Sequence, residues 1–234
     1  ILFGQESEDK AMLRSEGDLM NAIRGEFSNA EVLIAEARER GFSLSDFFSG
    51  APLPPDMELP LRRTNSFYVK KHTAVQQPYL HTHEFYELIY VQTGQCLQTL
   101  QDGGRIRLKK GQCCLLRPGS AHRIERIRPG DVILKAVIPC DLFARCIDDI
   151  PLPEEGVIVF GQMSLFAEYL FLRLLKESHT RSIYSGTAVS ALLSLLFCEL
   201  VRGKMGEGAA PVRWYGGYFQ TQLKQASLTH FART

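Results

Sequence analysis

The stretch HTHEFYELIYVQTGQ, residues 81–95, holds the side chains whose types and spacing are closest to chemistry. On a strand alternate residues share a face, so His81, His83, Phe85 and Glu87 point one way while Thr82, Glu84 and Tyr86 point the other. Two imidazoles and a carboxylate on one face form a ligand set that serves transition ions such as Zn, Ni, Fe or Mn. His122, on the strand after the RPGSAH turn, is a fourth candidate ligand. The same four side chains are also good hydrogen-bonding partners for a small polar molecule in a mostly apolar pocket. Two charged residues extend the candidate ligand-binding set: Lys135, a lone charge inside DVILKAVIP, and Arg117, beside the turn before His122. A buried charge needs a partner, so each meets a ligand's anionic group or a local carboxylate such as Glu87. The plainer alternative is a stem that carries the charge out to solvent.

Strands must align these residues, and the sequence from Asn65 to Ile138 supplies them. NSFYVKKHTAV, FYELIYVQTG, QCLQTLQ, GRIRLKKG, QCCLLRPG, HRIERIRPG and DVILKAVIP are short runs, most of them separated by glycine, proline or the Asp102-Gly103 turn. Such a series predicts an antiparallel barrel or double sheet over 65–160, in a protein that is mainly β with flanking helices. Residues 1–50 read as a helical arm. In SNAEVLIAEARERG, Ser28 and Glu31 have capping-box spacing and Gly41 is the stop; Ser43 and Asp46 start a further turn. SGAPLPPDMELP has four prolines in a dozen residues, so 51–64 is an extended linker. A helical texture resumes near Asp141. GQMSLFAEYLFLRLLKESH and TAVSALLSLLFCELVRGK predict a helical pair over 161–204 with apolar residues on more than one face. One side of this pair faces a second subunit, or both sides pack on the barrel. GKMGEGAAP makes 205–212 a flexible linker, and in 213–234 Ser227 takes a helix N-cap position.

The chain has 234 residues, 45% of them hydrophobic, enough for one large domain or two small ones. Its 27 basic and 26 acidic residues leave a net charge of +1. No basic field therefore advertises nucleic acid for the stretch as a whole, and any DNA contact falls to a local segment or to one not present. The start lacks a basic region followed by an apolar core, and apolar runs such as AVSALLSLLFCELV fall short of the roughly 20 residues that span a bilayer. The expectation is a cytoplasmic protein with no membrane partner. The six cysteines, Cys96, Cys113, Cys114, Cys140, Cys146 and Cys198, show no CxxC pair, which predicts buried small hydrophobes. Cys113 and Cys114 have a thiol sensor as their other reading.

The histidine stretch resembles the first cupin motif: His81, any residue, His83, three residues, Glu87, six residues, Gly94. The second motif is kept in part, as Gly111, five residues, Arg117, Pro118, Gly119, two residues, His122, three residues, Arg126. Cupins usually have proline where Arg117 stands and asparagine where Arg126 stands. All four positions that hold metal in cupins carry ligand-type residues here. HTHEFYELIYVQTGQ followed by LKKGQCCLLRPGSAHR also resembles the regulatory domain of AraC-type transcription regulators, in which the cupin barrel has mostly been turned to effector binding. The order of barrel, helical pair and linker is similar to that family's, where the helices serve dimerisation and two helix-turn-helix units follow. YGGYFQTQLKQASLTHFA resembles the entry to that DNA-binding domain, whose recognition helix would begin after Thr234.

The resemblance implies the effector-binding, homodimer-forming part of an AraC-like regulator, not an enzyme. It implies a small-molecule effector, and DNA as partner through a C-terminal domain largely missing from 213–234. No cofactor is required, one transition ion at His81, His83, Glu87 and His122 being the optional addition. The alternative is a metal-dependent cupin enzyme of dioxygenase or isomerase type, with the metal polarising a substrate or activating oxygen. A plain dimerisation module with a vestigial pocket is the third reading.

Overall fold

A computed structural model describes residues 15–46, 53–54, 56–72, 78–125, 127–147, 150, 152, 156–180 and 182–205. Arg126, the linker expected at 205–212 apart from Met205, and the helix-turn-helix opening expected at 213–234 lie outside them, as do residues 1–14 and 47–50 of the arm.

Two antiparallel sheets face each other. The larger has the order β10-β7-β4-β9-β2, with β2 at Tyr68–His72, β4 at Tyr86–Thr93, β7 at Gln112–Leu116, β9 at Val132–Ile138 and β10 at Val157–Gln162. The smaller is β6-β5-β8, with β5 at Gln95–Leu100, β6 at Arg105–Lys109 and β8 at His122–Ile124. A short parallel pair, β1 (Leu61–Arg62) and β3 (Thr82–His83), stands beside them. The seven predicted strands are present. β1 and β3 are short additions and β10 a longer one, which pairs with β7 where helix was expected to continue, so the next helix begins only after Ser164.

Alternation along these strands divides the core. The inner faces bury Ile89, Val91, Cys114, Leu116 and Ile133 against Cys96, Leu108 and Ile124 of the smaller sheet. The outer face of the larger sheet buries Leu88, Tyr90, Cys113, Leu115, Leu134 and Ala136 beneath three helices. These are α3 (Cys140–Ile147), α4 (Leu165–Thr180) and α5 (Ser185–Met205). Strands buried on both faces explain why β4 and β9 read as near-continuous apolar runs. By length and composition α5 is apolar enough to cross a membrane, which corrects the expectation that no run reaches that length. Its register explains the composition, because Leu193, Leu196, Phe197 and Leu200 fall on one side and enter the core under the sheet.

The arm folds as two helices, α1 (Glu16–Glu26) and α2 (Ala30–Arg40), around their own core of Ile23, Leu33, Ile34 and Tyr79. The capping box belongs to α1: the Ser15 hydroxyl accepts from Asp18 N–H, and the Asp18 carboxylate accepts from Ser15 N–H. The box expected at Ser28 and Glu31 does not form. Asn29 is the N-cap of α2, Ser28 is drawn to the Leu61 carbonyl, and Glu31 pairs with Arg24. Gly41 ends α2 as expected, with φ of 65°. The proline-rich segment is held against the arm: Asn29 Nδ2 donates to Leu59 O, and Leu61 N–H donates to Asn29 Oδ1. Of the six cysteines, Cys140 is exposed and Cys198 half-buried, so the expectation of buried thiols holds for the other four.

Candidate functional site

β3 carries His83, with His81 in the residue just before it, and the segment is gripped from both sides. Arg62 of β1 lies opposite His83, and His81 exchanges two main-chain hydrogen bonds with His122, of 3.1 and 2.9 Å. Gly119, at φ of 82°, turns the chain so that its N–H donates to His83 O, which fixes the loop leading to His122. The predicted alternation survives the bend at Glu84 and Phe85. His81, His83, Phe85 and Glu87 are all buried, and the Phe85 ring stacks on His83 at 4.5 Å. Tyr86 faces the other way and stacks on Phe143.

Each imidazole uses its Nδ1 on a main-chain carbonyl: His81 on Tyr79 O at 3.1 Å, His83 on Phe85 O at 2.6 Å, His122 on Ser120 O at 3.4 Å. A donating Nδ1–H leaves the lone pair on Nε2. All three Nε2 atoms are buried without a hydrogen-bond partner, as are both oxygens of Glu87. A ligand atom each from His83, Glu87 and His122 lies within 4.8 Å of the other two. His81 is not in that set; its ring lies between those of Tyr79, at 4.7 Å, and His122, at 4.6 Å.

Lys135 corrects the solvent-reaching alternative. It is 1% exposed, and its Nζ lies 3.6 Å from Glu87 Oε1. Glu87 Oε2 is 3.3 Å from His122 Nε2, a contact that is attractive only with a proton or a cation between the two atoms. Burial alone would push the Glu87 carboxyl up, but the Lys135 ammonium and the neighbouring His122 outweigh it and hold the group well below the usual carboxylate range. Burial also lowers Lys135, against the pull of Glu87. His81 is pushed far down by burial and by the neighbouring His122 and Arg62, and His83 falls to about 4 through burial, partly opposed by Glu87. Both imidazoles are therefore neutral at pH 7. Arg117 is half-buried just beyond the end of β7, and its main-chain N–H donates to Gly156 O.

Residues that the sequence reading passed over complete the inner wall. His72 faces inward from β2 with Nδ1 unpartnered, and burial and the Lys135 charge lower it to about 3. Gln98 of β5 is fully buried, donating to Cys114 Sγ while its Oε1 has no partner. Each sits in a predicted strand, and alternation from Lys70 or Cys96 would have turned it inward. Behind His81, the Tyr79 hydroxyl donates to Glu26 of α1 at 2.8 Å, and Arg62 Nε lies 3.6 Å from the same carboxylate oxygen. A largely buried ion pair thus ties the arm to the histidine strand.

The donor set fits a divalent transition ion: imidazole Nε2 atoms already oriented by their second nitrogen, with a carboxylate beside them. Lys135 holds one of that carboxylate's oxygens. The arrangement is equally an acceptor-lined interior for a molecule that brings its own donors.

Two facing antiparallel sheets enclosing such a polar cluster define a small-molecule-binding domain. A family model for the AraC-like ligand binding domain matches residues 69–201, and the chain belongs to that family. Among solved structures, it is similar to apo ToxT from Vibrio cholerae, at 8% identity and a TM-score of 0.45 over 58% of this chain and 56% of that one. It is also similar to the AraC-like transcriptional activator CuxR, at 9% identity and a TM-score of 0.38 over 51% of this chain and 43% of that one. Protein NMB1881 from Neisseria meningitidis aligns at 19% identity and a TM-score of 0.26 over 31% of this chain and 71% of that one. The chain thus spans about half the length of ToxT. No curated protein sequence matches it.

Proposed function

We propose that this chain is the effector-binding and dimerising part of a transcription regulator, with no enzymatic activity of its own. DNA is contacted through the C-terminal segment whose start, 213–234, resembles a helix-turn-helix domain. The observation that carries the reading is the set of buried acceptors without a hydrogen-bond partner at His81, His83, Glu87 and His122, of which Glu87 has the Lys135 charge beside one oxygen. Such groups are costly unless something supplies donors or positive charge, and a bound ligand does so. Binding there would favour one arrangement of Tyr79, Glu26 and Arg62, and so of the arm, by a population shift. The homodimer would use the apolar stripe that α4 leaves exposed, Leu165, Phe166, Tyr169 and Leu172, the first being 86% exposed.

The ligand is a donor-bearing small polar molecule or a divalent ion. An anionic effector is disfavoured, because the one buried lysine of the cluster is already engaged by Glu87. The metal-enzyme reading draws on the same donor set; a bound ion would supply Lewis acidity at that point. The test is elemental analysis of the purified protein and of His83→Ala, with melting and sedimentation on adding Zn, Ni, Fe or Mn ions or a panel of neutral polyols and amines. A ligand at 100 times its Kd should add about 2.7 kcal/mol to stability and change subunit assembly. If no ion or molecule in the panel moves either quantity, the regulator reading fails. A bound ion without any effect on assembly favours the enzyme.

A further inference from the structure

We propose that the outer face of the smaller sheet docks the phosphodiester backbone of nucleic acid. The register places Arg105 and Arg123 on either side of Thr99, with Arg107 opposite Leu97 and Lys109 opposite Gln95. Leu108 and Cys96, the alternate residues, are buried between the sheets, so these cations share the outward face, and Arg105, Arg107 and Lys109 are exposed. Alternate residues of a strand are about 6.8 Å apart, close to the step between successive phosphates, and the two flanking strands are about 10 Å apart. A phosphodiester strand lying along β5 meets cations on both sides and neutral Gln95, Leu97 and Thr99 beneath it. Glu125 shares this face and holds Arg123 at 2.9 Å and the Thr99 hydroxyl at 2.6 Å.

The stretch of sequence that contains this sheet is basic as well. Between Gln95 and Asp131 stand eight lysines and arginines against three acids, although the whole chain is only +1. Near-neutral composition hides a local basic field of the kind that binds phosphates. β6 is an edge strand, and charges on an edge guard it against unwanted pairing. β8 is the other edge of this sheet, but its outer side is already paired at His122 by the main chain of His81, so that role does not ask for Arg123. An acidic peptide would match the row only with a carboxylate at every second position, whereas a phosphodiester strand carries charge at every unit.

The inference rests on the regulator reading for nucleic acid being the partner at hand; its test is independent. The full chain is titrated with a duplex of arbitrary sequence at salt from about 50 to about 200 mM. R105Q/R107Q/K109Q is expected to flatten the slope of log K against log salt by about 2.7, from about 0.9 per phosphate contact. Glu125→Gln frees Arg123 and is expected to tighten binding, a gain that misfolding does not mimic. The proposal is overturned by absence of binding at low salt, by an unchanged slope in the triple variant, or by polyglutamate displacing the duplex at equal charge. Ligand-dependent melting and assembly should be the same in these variants as in the parent. If those responses are missing while the slope changes as stated, the regulator reading falls and the docking face stands.

Discussion

Lys135 and Glu87 offer the sharpest test of how the interior is balanced. Their charges lie 3.6 Å apart with 1% and 0% side-chain exposure, and at an effective dielectric of about 20 the attraction is roughly 4–5 kcal/mol. Removing one partner strands the other in the core, which typically costs about 3–5 kcal/mol. Lys135→Met leaves a buried carboxylate beside the imidazoles of His83 and His122, and Glu87→Gln leaves a buried ammonium. Each is expected to lower unfolding stability by that amount in urea at pH 7, with an unchanged m-value. Together they remove both charges, so the double variant should recover most of the loss, giving a coupling energy of about 3 kcal/mol or more. Additive losses would refute the account, because they would mean that the two charges do not depend on each other. Lys135→Met makes a second demand: it frees Glu87 Oε1, so Zn²⁺ should bind more tightly to this variant than to the parent.

Two further outcomes follow from the same geometry. Folded His72 and His83 protonate only near pH 3 and 4, and His81 lies far below its ordinary value, whereas the unfolded chain takes up these protons near pH 6.5. Their contribution is complete above pH 6.5 and is lost as the pH falls toward 4, so stability should decline steeply from pH 7 to 5. His72→Asn should reduce that slope by about 1.4 kcal/mol per pH unit, and an unchanged slope in a urea–pH series would count against a neutral buried His72. Gly94, at φ of 77°, cannot take a side chain without strain, and an added Cβ would overlap the Asp131 carboxylate and lie 3.2 Å from Asp131 Cα. Gly94→Ala should therefore cost about 1–3 kcal/mol in thermal or chemical unfolding.

Period-two alternation made much of the site legible, because it depends only on His81, His83 and Glu87 belonging to strands of one face. Gly41 and Gly94 were legible for a related reason: a positive φ constrains residue type locally. What stayed hidden depends on partners far along the chain. Lys135 lies opposite Lys70 in one neighbouring strand and Ile89 in the other, and only that register decides that it reaches Glu87 and not water. Ser28 and Glu31 carry the same pattern as Ser15 and Asp18, yet the segment at Leu59–Leu61 claims Ser28 and Asn29. β10 was missed because its partner β7 lies more than forty residues earlier, and neighbouring helices masked its alternation.

The interior is richer in acceptors than in donors, and this asymmetry bears on what enters it. Burial keeps His81, His83 and His72 neutral and accepting, while Glu87 stays ionised because Lys135 stands beside it. Lys135 and Glu87 cancel to first order, so the field left for a ligand is that of imidazole lone pairs and the Gln98 carbonyl. A carboxylate or phosphate entering this space would have to displace Glu87 from Lys135 and would strand one of two anions. An ammonium, a hydroxyl donor or a divalent ion meets open lone pairs at once. The first imidazole on the side of the arm is His81, packed at a tilt on Tyr79, whose hydroxyl is bonded to Glu26. A ligand that draws His81 inward therefore pulls on the contact that holds α1, so the chemistry that selects the ligand and the lever that reports it share one residue.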